Sequence, residues 1–352
     1  MLGSACGPSG ACDELPGSVC LVAGTGAYGF NRDGRSGPDT DFYLISAARR
    51  GPDGLVYLMD FNNQRLRRIE ADGTVQSVVG SGFHALADTS VPALDSPLEN
   101  PIDFAFDPEG RIVFTSYHDP RVLRLEGDRL VVVAGDGELG EIGDEGDFGD
   151  PLLARFIQLD GIAIAPDGTI YVSDSLANRV RRIRDGMIVT VAGTERRGYS
   201  GDGGPGTSAQ LYWPSALELM PDGTLLIADS LNHAVRALAP DGTIDTIAGT
   251  GEEGVSGDGG PARDAQLAWP YGLALDDDGT LYIADRESFR VRRIAPDGTI
   301  DTVAGTGING YRGDGGPALR ATFGHLGRIA LDGDTILIAD QSNSCVRRYY
   351  LP

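Results

Sequence analysis

The chain has 352 residues, with 51 acidic against 29 basic side chains and a formal net charge of −22 at pH 7. The acidic excess is spread along the whole length and repels phosphate backbones, so nucleic acid is an unfavourable partner. No stretch approaches the roughly 18 to 20 apolar residues that cross a membrane. We therefore expect an acidic protein without a transmembrane segment, monomeric, whose partners are small molecules or proteins.

The N-terminal segment, residues 1–17, is predicted to be a flexible tail. Its first five residues lack the apolar core of a signal peptide. Gly3-Ser4-Ala5-Cys6 resembles the end of a lipoprotein signal whose front has been removed, and the alternative is an isolated cysteine in a disordered tail. Three of the four cysteines precede residue 21, which favours an oxidising compartment and hence an exported protein, in the periplasm, at the cell surface or secreted.

From residue 18 onward the chain repeats itself every 55 to 58 residues. The repeat is clearest at the acid that ends the second apolar run of each unit, a position that only one unit fills with serine. These six positions are Asp60, Ser116, Asp174, Asp229, Asp285 and Asp340. A fixed period of this length indicates stacked or radially arranged units.

Each unit contains four short runs rich in β-branched and large apolar residues. In the fifth unit the runs are 271–275, 280–284, 290–294 and 300–304. Asp-Gly and Pro-Asp-Gly turns separate them, and such turns are typical of hairpins. No unit shows helical spacing, so we predict an all-β six-bladed β-propeller of four-stranded antiparallel blades around a central channel.

The two ends of the chain are predicted to form the last blade together. The sixth unit stops after its third strand, and 18–26 matches the fourth strand of the fifth unit at 299–305. An N-terminal strand that completes the blade removes a free sheet edge. Residues 18–352 then form a single propeller. Cys20 on this strand and Cys345 on its neighbour are candidates for a disulfide.

The recurring motifs resemble the NHL repeat. Asp229–Arg236 reads D-S-x-N-H-x-V-R, and P-D-G, A-G-T-G and G-D-G-G-P-A follow in register. The resemblance runs from about Ser18 to Pro352. NHL propellers include RNA-binding modules, extracellular sensor and adhesion domains, and an amidating lyase, so the resemblance implies the fold and leaves the function open. This chain shows no basic run of the kind that an RNA-binding member needs.

Two shared features are interpreted as scaffold. The GDGGPA segment is either an ion-binding loop or a connector in which Gly supplies unusual backbone angles, and its repetition favours the connector. The acid that ends the second strand recurs with an arginine seven residues later, for example Asp229 with Arg236, and the second unit has lost both. We expect each acid to pair with its arginine.

Positions around the predicted channel mouth vary between units and are the candidate site. The residues just before the inner strands are Tyr43, Asn100, Gln158, Trp213, Trp269 and His325. Asp103, Asp160, Tyr271 and Arg328 follow shortly after, and Tyr117 and His118 lie in a loop on the same face. Aromatic walls with a few fixed polar groups are typical of a small-molecule pocket. The alternative is drift at solvent-facing positions.

The first functional hypothesis is an exported binding module that takes a small molecule or a protein partner in this top-face funnel. Trp213, Trp269 and Tyr271 would stack against the ligand. Arg328 would read a carboxylate, and Asp103 and Asp160 would read hydroxyls or a cation.

The second hypothesis is a metal-dependent lyase or hydrolase in the same funnel. His118 and His325 would be ligands of a divalent metal such as zinc or calcium, and Asp103 or Asp160 would complete the set. Tyr117 or Tyr271 would act as acid or base. The binding hypothesis is favoured.

Two further acidic features belong to this prediction. Glu218 replaces the alanine of the other inner strands, and we expect it to face channel water, with a metal ligand as the alternative. Residues 136–150 carry seven acids, which we interpret as a solvated loop in preference to a calcium site.

Overall fold

A computed structural model describes residue 12 and residues 14–141 and 146–352. The described residues form 28 β-strands in six antiparallel sheets and contain no α-helix. None of their helices is long and apolar enough to span a membrane. The predicted six-bladed propeller is confirmed.

The first strand and the first three blades follow in chain order. Ser18–Ala23 is β1, and blade one contains Arg35–Ser36 (β2), Ile45–Arg50 (β3), Val56–Asp60 (β4), Arg65–Ile69 (β5) and Thr74–Val79 (β6). Blade two contains Pro101–Phe106 (β7), Ile112–Ser116 (β8), Val122–Glu126 (β9) and Arg129–Ala134 (β10). Blade three contains Leu159–Ile164 (β11), Ile170–Asp174 (β12), Arg179–Arg184 (β13) and Met187–Ala192 (β14).

The last three blades each contain a two-residue outer strand. Blade four contains Gly204–Pro205 (β15), Pro214–Leu219 (β16), Leu225–Asp229 (β17), Ala234–Leu238 (β18) and Thr243–Ala248 (β19). Blade five contains Gly260–Pro261 (β20), Pro270–Leu275 (β21), Leu281–Asp285 (β22), Arg290–Ile294 (β23) and Thr299–Ala304 (β24). Blade six contains Gly316–Pro317 (β25), Leu326–Leu331 (β26), Thr335–Asp340 (β27), Cys345–Tyr350 (β28) and the N-terminal β1.

Short 3-10 turns mark the connectors and the loops between second and third strands. In the loop of blade four, His233 has the left-handed φ of 50° and its N–H bonds to Ser230. The nine turns are Gly37–Asp39, Phe61–Asn63, Pro151–Leu153, Gly206–Ser208, Ser230–Asn232, Ala262–Asp264, Arg286–Ser288, Ala318–Arg320 and Gln341–Asn343.

The N-terminal strand closes the ring as predicted. β1 pairs with β28 on one side and β25 on the other, with Val19 opposite Tyr349. Val19 and Ala23 are fully buried. Burial of these side chains and pairing of both strand edges explain why the ends of the chain belong to one blade.

The expected disulfide between Cys20 and Cys345 is wrong. Cys20 is bonded to Cys12, eight residues earlier. Cys345 is buried on β28 and takes no part in that bond. The rest of the predicted tail, including Cys6, lies outside the described residues apart from 14–17.

The core lies between the blades, where apolar side chains of adjacent sheets pack face to face. One such cluster combines Phe42 and Leu58 of blade one with Leu337 and Ala339 of blade six. The inner strands β3, β7, β11, β16, β21 and β26 pack side by side around the channel. Small residues such as Ala47, Ala216 and Ala274 are buried on them.

The predicted acid–arginine pair is present in blades one, four and six, with an additional partner, and is not formed as expected in blades three and five. Nη1 of Arg236 lies 3.3 Å from Oδ2 of Asp229, and its Nη2 lies 2.6 Å from Oδ1 of Asp202 in the GDGGPA connector. Arg67 and Arg347 have the same two kinds of partner, whereas Asp174 pairs with Arg179. The connector aspartate therefore neutralises a buried guanidinium, which accounts for its repetition.

Candidate functional site

The predicted site residues gather at the top face, where the loops between second and third strands and the blade connectors open. Asp103, Asp160, Tyr271 and Arg328 lie on the inner strands β7, β11, β21 and β26. Trp213, Trp269 and His325 directly precede inner strands, and Tyr117 and His118 directly follow β8.

The ring of residues before the inner strands needs one correction, in blade one. Ile45 pairs with Asp60 as Pro101 pairs with Ser116, so the residue equivalent to Asn100 is Leu44 and not Tyr43. The predicted position in blade one is therefore shifted by one residue, whereas Gln158 in blade three and His325 in blade six are in register. A slip of one position reverses which side chains face the channel.

Arg328 lies at the centre of a buried ionic network and contacts three other blades. Its Nε lies 3.2 Å from Oδ2 of Asp103, its Nη2 forms an ion pair with Asp160, and its Nη1 donates to the carbonyl of Tyr271. Arg49 adds a second cation, 3.2 Å from Oδ1 of Asp103. Arg328 is 1% exposed. The expectation that it reads a ligand carboxylate is therefore not supported, since all its nitrogens already have protein partners.

The ring of Tyr271 lies close to two guanidinium groups. The Cζ atoms of Arg328 and Arg286 lie 4.4 and 4.8 Å from the centre of its ring, within the range of cation–π contacts. Its hydroxyl lies 3.5 Å from Oδ1 of Asp160. Burial, together with the charge of Asp160, raises the pKa of Tyr271. Tyr271 is thus a buried proton donor, which argues against a role as a base or as a ligand-stacking surface.

Asp160 is the acceptor at the floor of the funnel. Burial raises the pKa of its carboxyl, while the positive charge of Arg328 and the indole of Trp213 act in the opposite direction. Its Oδ2 is buried and has no hydrogen bond of good geometry, although the indole of Trp213 is near enough to lower the pKa of the carboxyl. Nε1 of Trp269 is likewise buried without a hydrogen-bond partner among the described groups. Buried atoms without a partner also occur in the scaffold, for example Nε of Arg67 and of Arg236, so these two mark a candidate site only because they belong to residues predicted at the channel.

Aromatic side chains surround this floor. Tyr117, Trp213 and Trp269 are half-buried, and burial, followed by the charge of Asp160, raises the pKa of Tyr117. Trp213 and Trp269 have φ values of 58° and 65°, a conformation that bulky residues rarely adopt. Their backbone N–H groups bond to Asn178 and His233 of the preceding blades. These bonds hold the two tryptophans at the channel mouth.

His118 and His325 do not form the predicted metal set. Nε2 of His325 lies 3.2 Å from Oε2 of Glu287, and its Nδ1 lies 3.0 Å from Oγ of Ser342. His118 instead lies with His84 and Glu99, in the one cluster of three potential metal ligands among the described residues. Neither His325 nor the two channel aspartates belong to that cluster. The physical reason is that His118 and His325 lie in loops of blades two and six, with blade one between them. Asp103 and Asp160 are instead buried with Arg328.

Glu218 lies beside the channel on β16, as expected. Its carboxyl is mostly buried, and this raises its pKa to about 7, while the charge of Arg49 acts in the opposite direction. The sequence did not predict four residues of these clusters. They are His84 and Glu99 beside His118, Arg49 beside Asp103, and Arg286 beside Tyr271. The signal for His84 was present, because all four histidines lie in top-face loops.

A separate groove of about 520 Å³ lies between blades three and four. Tyr171, Arg182, Leu238 and Pro240 are among the residues that line it. Its hairpin residues belong to the face opposite the funnel, and it includes none of the predicted site residues.

Known proteins resemble this chain in both sequence and fold. Teneurin-m from Drosophila melanogaster is 31% identical over 333 residues, which is 86% of this chain and 12% of that protein. An auxiliary nutrient binding protein from Bacteroides thetaiotaomicron has a TM-score of 0.67 at 16% identity, covering 94% of this chain and 75% of that one. Virginiamycin B lyase from Staphylococcus aureus has a TM-score of 0.54 at 15% identity, covering 88% and 80%.

The structural likenesses show the fold alone at these identities, and a binding protein and an enzyme are both among them. The chain spans about an eighth of the length of Teneurin-m. The model of the Teneurin NHL domain matches residues 33–198 and 240–310, more than half of the chain. The chain therefore belongs to the Teneurin NHL domain family.

Proposed function

We propose that this propeller is an exported binding module whose top-face funnel takes a neutral, hydroxyl-bearing small molecule. The observation that carries the proposal is the buried Oδ2 of Asp160, which lacks a hydrogen bond of good geometry and belongs to a carboxyl that interacts with the aromatic residues Tyr117 and Trp213. A fixed acceptor below aromatic side chains suits a ligand with an apolar ring face and hydroxyl edges.

The charge of the floor argues for a neutral ligand. Arg49 and Arg328 are matched by Asp103 and Asp160 in direct ion pairs. A charged ligand would have to compete with these pairs, and separating a buried pair is costly. Hydroxyl groups can bond to the remaining oxygen of Asp160 without breaking any of them.

The half-buried tryptophans supply the stacking surface. Their backbone N–H groups bond to neighbouring blades, so the main chain that carries each indole is already ordered before a ligand binds. Nε1 of Trp269 is a buried donor that has no described acceptor, and it complements the acceptor on Asp160. One donor and one acceptor flanked by ring faces fit a sugar-like molecule.

The geometry supports the enzyme alternative less well. His118 and His325 lie in separate clusters, with Glu99 and with Glu287 respectively, and Asp103 and Asp160 are engaged by Arg328. Burial raises the pKa of Tyr271, so its hydroxyl stays protonated and does not act as a base. Virginiamycin B lyase shares only the fold with this chain, so its activity is not transferred.

One observation supports export. The Cys12–Cys20 disulfide is of the kind that persists in oxidising compartments. The fold shared with an auxiliary nutrient binding protein is also compatible with a ligand-binding module.

A thermal-shift screen with neutral sugars and polyols tests the proposal. A ligand at about 100 times its dissociation constant should add about 2.7 kcal/mol to the stability of the folded state. The shift should disappear in Trp213→Ala and Trp269→Ala. It should remain in Phe83→Ala, because that side chain is 76% exposed on a connector.

Two outcomes would overturn the proposal. Equal shifts in all four proteins would place the ligand elsewhere. Shifts produced only by anions would contradict the conclusion that the ligand is neutral. If the chain bound only a protein partner and no small molecule, the funnel would be a protein-binding surface.

A further inference from the structure

The His84, Glu99 and His118 cluster lies on the top face between blades one and two, outside the funnel floor. We propose that these three side chains bind a transition-metal ion of the zinc type. His84 lies in the connector from blade one, Glu99 lies two residues before β7, and His118 follows β8. The three segments belong to loops that open on the same face.

The ligand atoms already converge. Nε2 of His84 lies 3.0 Å from Oε1 of Glu99, and Nδ1 of His118 lies 3.7 Å from the same oxygen. All three ligand atoms lie within 4.8 Å of one another. In a tetrahedral zinc site with bonds of about 2.0–2.1 Å, the donor atoms lie roughly 3.3 Å apart. Only small side-chain rotations separate the observed positions from that arrangement.

The backbone fixes the loops that carry these side chains. His84 and Leu98 form a parallel bridge, with hydrogen bonds on either side of it. Tyr117 N–H donates to the carbonyl of Asn100 at 2.9 Å. The cluster therefore has a prepared geometry, which lowers the entropy cost of binding.

Asn100 orients both imidazole rings. Its Oδ1 lies 2.8 Å from Nε2 of His84 and 3.2 Å from Nδ1 of His118, and its Nδ2 donates to Asn62. Asn100 is 6% exposed, and its backbone N–H bonds to Gln64. A buried amide held in place on its far side presents one oxygen to both rings. In the metal-free protein this oxygen accepts from the two ring nitrogens. When those nitrogens release their protons and bind an ion, the same oxygen is free to act as an additional ligand.

The donor set selects the class of metal. Two imidazoles and one carboxylate match zinc and its neighbours in the transition series, whereas calcium prefers six to eight oxygen ligands. Both histidines are 54% exposed and Glu99 is 16% exposed, so an ion can enter from solvent. A water molecule would complete the coordination in such an open site.

Only blade two carries this combination, which separates it from the shared scaffold. At the position two residues after the end of the second strand, His118 is replaced elsewhere by Asn62, Leu176, Leu231, Glu287 and Ser342. His84 forms a parallel β-bridge with Leu98, just before the inner strand. In four other connectors the residue that forms the equivalent bridge is Tyr28, Leu139, Glu253 or Asn309. A cluster that the fold does not require is a candidate for a specific role.

Calorimetric titration of the chelator-treated full chain with Zn²⁺ tests the proposal. We expect one equivalent to bind with micromolar or tighter affinity. The affinity should fall at least about tenfold in His84→Ala, His118→Ala and Glu99→Gln, and a large excess of Ca²⁺ should not compete. Substituting Co²⁺ should give the visible absorption of a tetrahedral site.

His325→Ala is the matched control, because His325 is also a top-face histidine beside a glutamate. It should bind Zn²⁺ like wild type. Loss of binding in His325→Ala, equal binding in His84→Ala and wild type, or absence of binding by wild type would each overturn the proposal. The ligand ring atoms are half-exposed, and circular dichroism melts verify that the variants remain folded. The funnel proposal is independent, since its test uses different residues and a different probe.

Discussion

Nε of Arg328 on β26 lies 3.2 Å from Oδ2 of Asp103 on β7, which joins blade six to blade two across the channel. The two residues are 225 positions apart in sequence. Both side chains are about 1% exposed, and Arg328 also pairs with Asp160 of blade three. The centre of the propeller is thus held by charges as well as by the apolar contacts between blades.

Replacing Arg328 should destabilise the empty protein strongly. Arg328→Met leaves Asp103 and Asp160 buried with one cation fewer, and breaking such a network by removing one partner costs about 3–5 kcal/mol. This replaces the sequence-based view of Arg328 as a contact for a ligand carboxylate. Chemical denaturation measures the loss.

Arg184→Ala is the control for this prediction. Its side chain is 54% exposed beside Asp167 and Asp185, so the expected change is about 0.5 kcal/mol or less. A loss below about 1 kcal/mol in Arg328→Met would contradict the structural role.

The connector aspartates should matter for stability although they are partly exposed. Oδ1 of Asp258 lies 2.7 Å from Nη2 of Arg292, whose side chain is fully buried. Asp258→Asn removes the charge that compensates this guanidinium, and we expect a loss of about 1–3 kcal/mol in urea unfolding. Asp301→Asn, in an exposed pair with Arg293 of the same blade, should cost about 0.5 kcal/mol or less. Equal effects of the two changes would show that the connector pairs are dispensable.

Glu218 should make stability fall as the pH rises. Its folded-state pKa is about 7, above the ordinary value of 4.5, so the native state holds a proton that the unfolded chain releases. The stability that the folded state has from holding this proton is fully present below pH 4.5 and is lost as the pH rises through about 7. Because Glu218 keeps some exposure to the channel, we expect about 1–3 kcal/mol.

Unfolding of wild type and Glu218→Gln at pH 5 and pH 8 measures this effect. Wild type should lose free energy of unfolding between pH 5 and pH 8 because Glu218 ionises, and Glu218→Gln should lose less. A stability difference that does not change with pH would mean that Glu218 titrates normally.

Removal of the closing strand should unfold the last blade. Deleting residues 1–23 exposes the edge of β28 and removes buried Val19 and Ala23, for an expected loss of about 3 kcal/mol or more. A deletion that ends before Cys12 keeps both β1 and the disulfide and serves as the control. An unchanged denaturation midpoint after the longer deletion would disprove closure by this strand.

The architecture could be predicted because its causes are local and repeated. The hairpin from β23 to β24 shows this: Oδ1 of Asp297 accepts from the N–H of Thr299 at 2.9 Å, and Gly298 has a φ of 85°. Each such turn sets the order of its own two strands. Six copies of the same local signal, with one strand displaced to the N-terminus, determine the blade number and the closure.

The proximity of four candidate residues could be predicted, but the contacts between them could not. Asp103, Asp160, Tyr271 and Arg328 were expected together, and the structure brings them together. Their partners are one another, whereas the sequence suggested a ligand. Side-chain pairing depends on how far each inner strand is rotated about the channel, and nothing in the order of residues encodes that angle directly.

The sequence by itself determined the β-class, the six blades, the closing strand and the connectors, because hydrophobic alternation and turn chemistry act over a few residues. Only the tertiary structure decided that Arg328 pairs with Asp103, that His118 lies with His84 and not His325, and that Cys20 bonds to Cys12. These contacts depend on distances between loops and strands that are far apart in sequence or follow no repeated pattern. Such distances are set by the packing of one blade on the next.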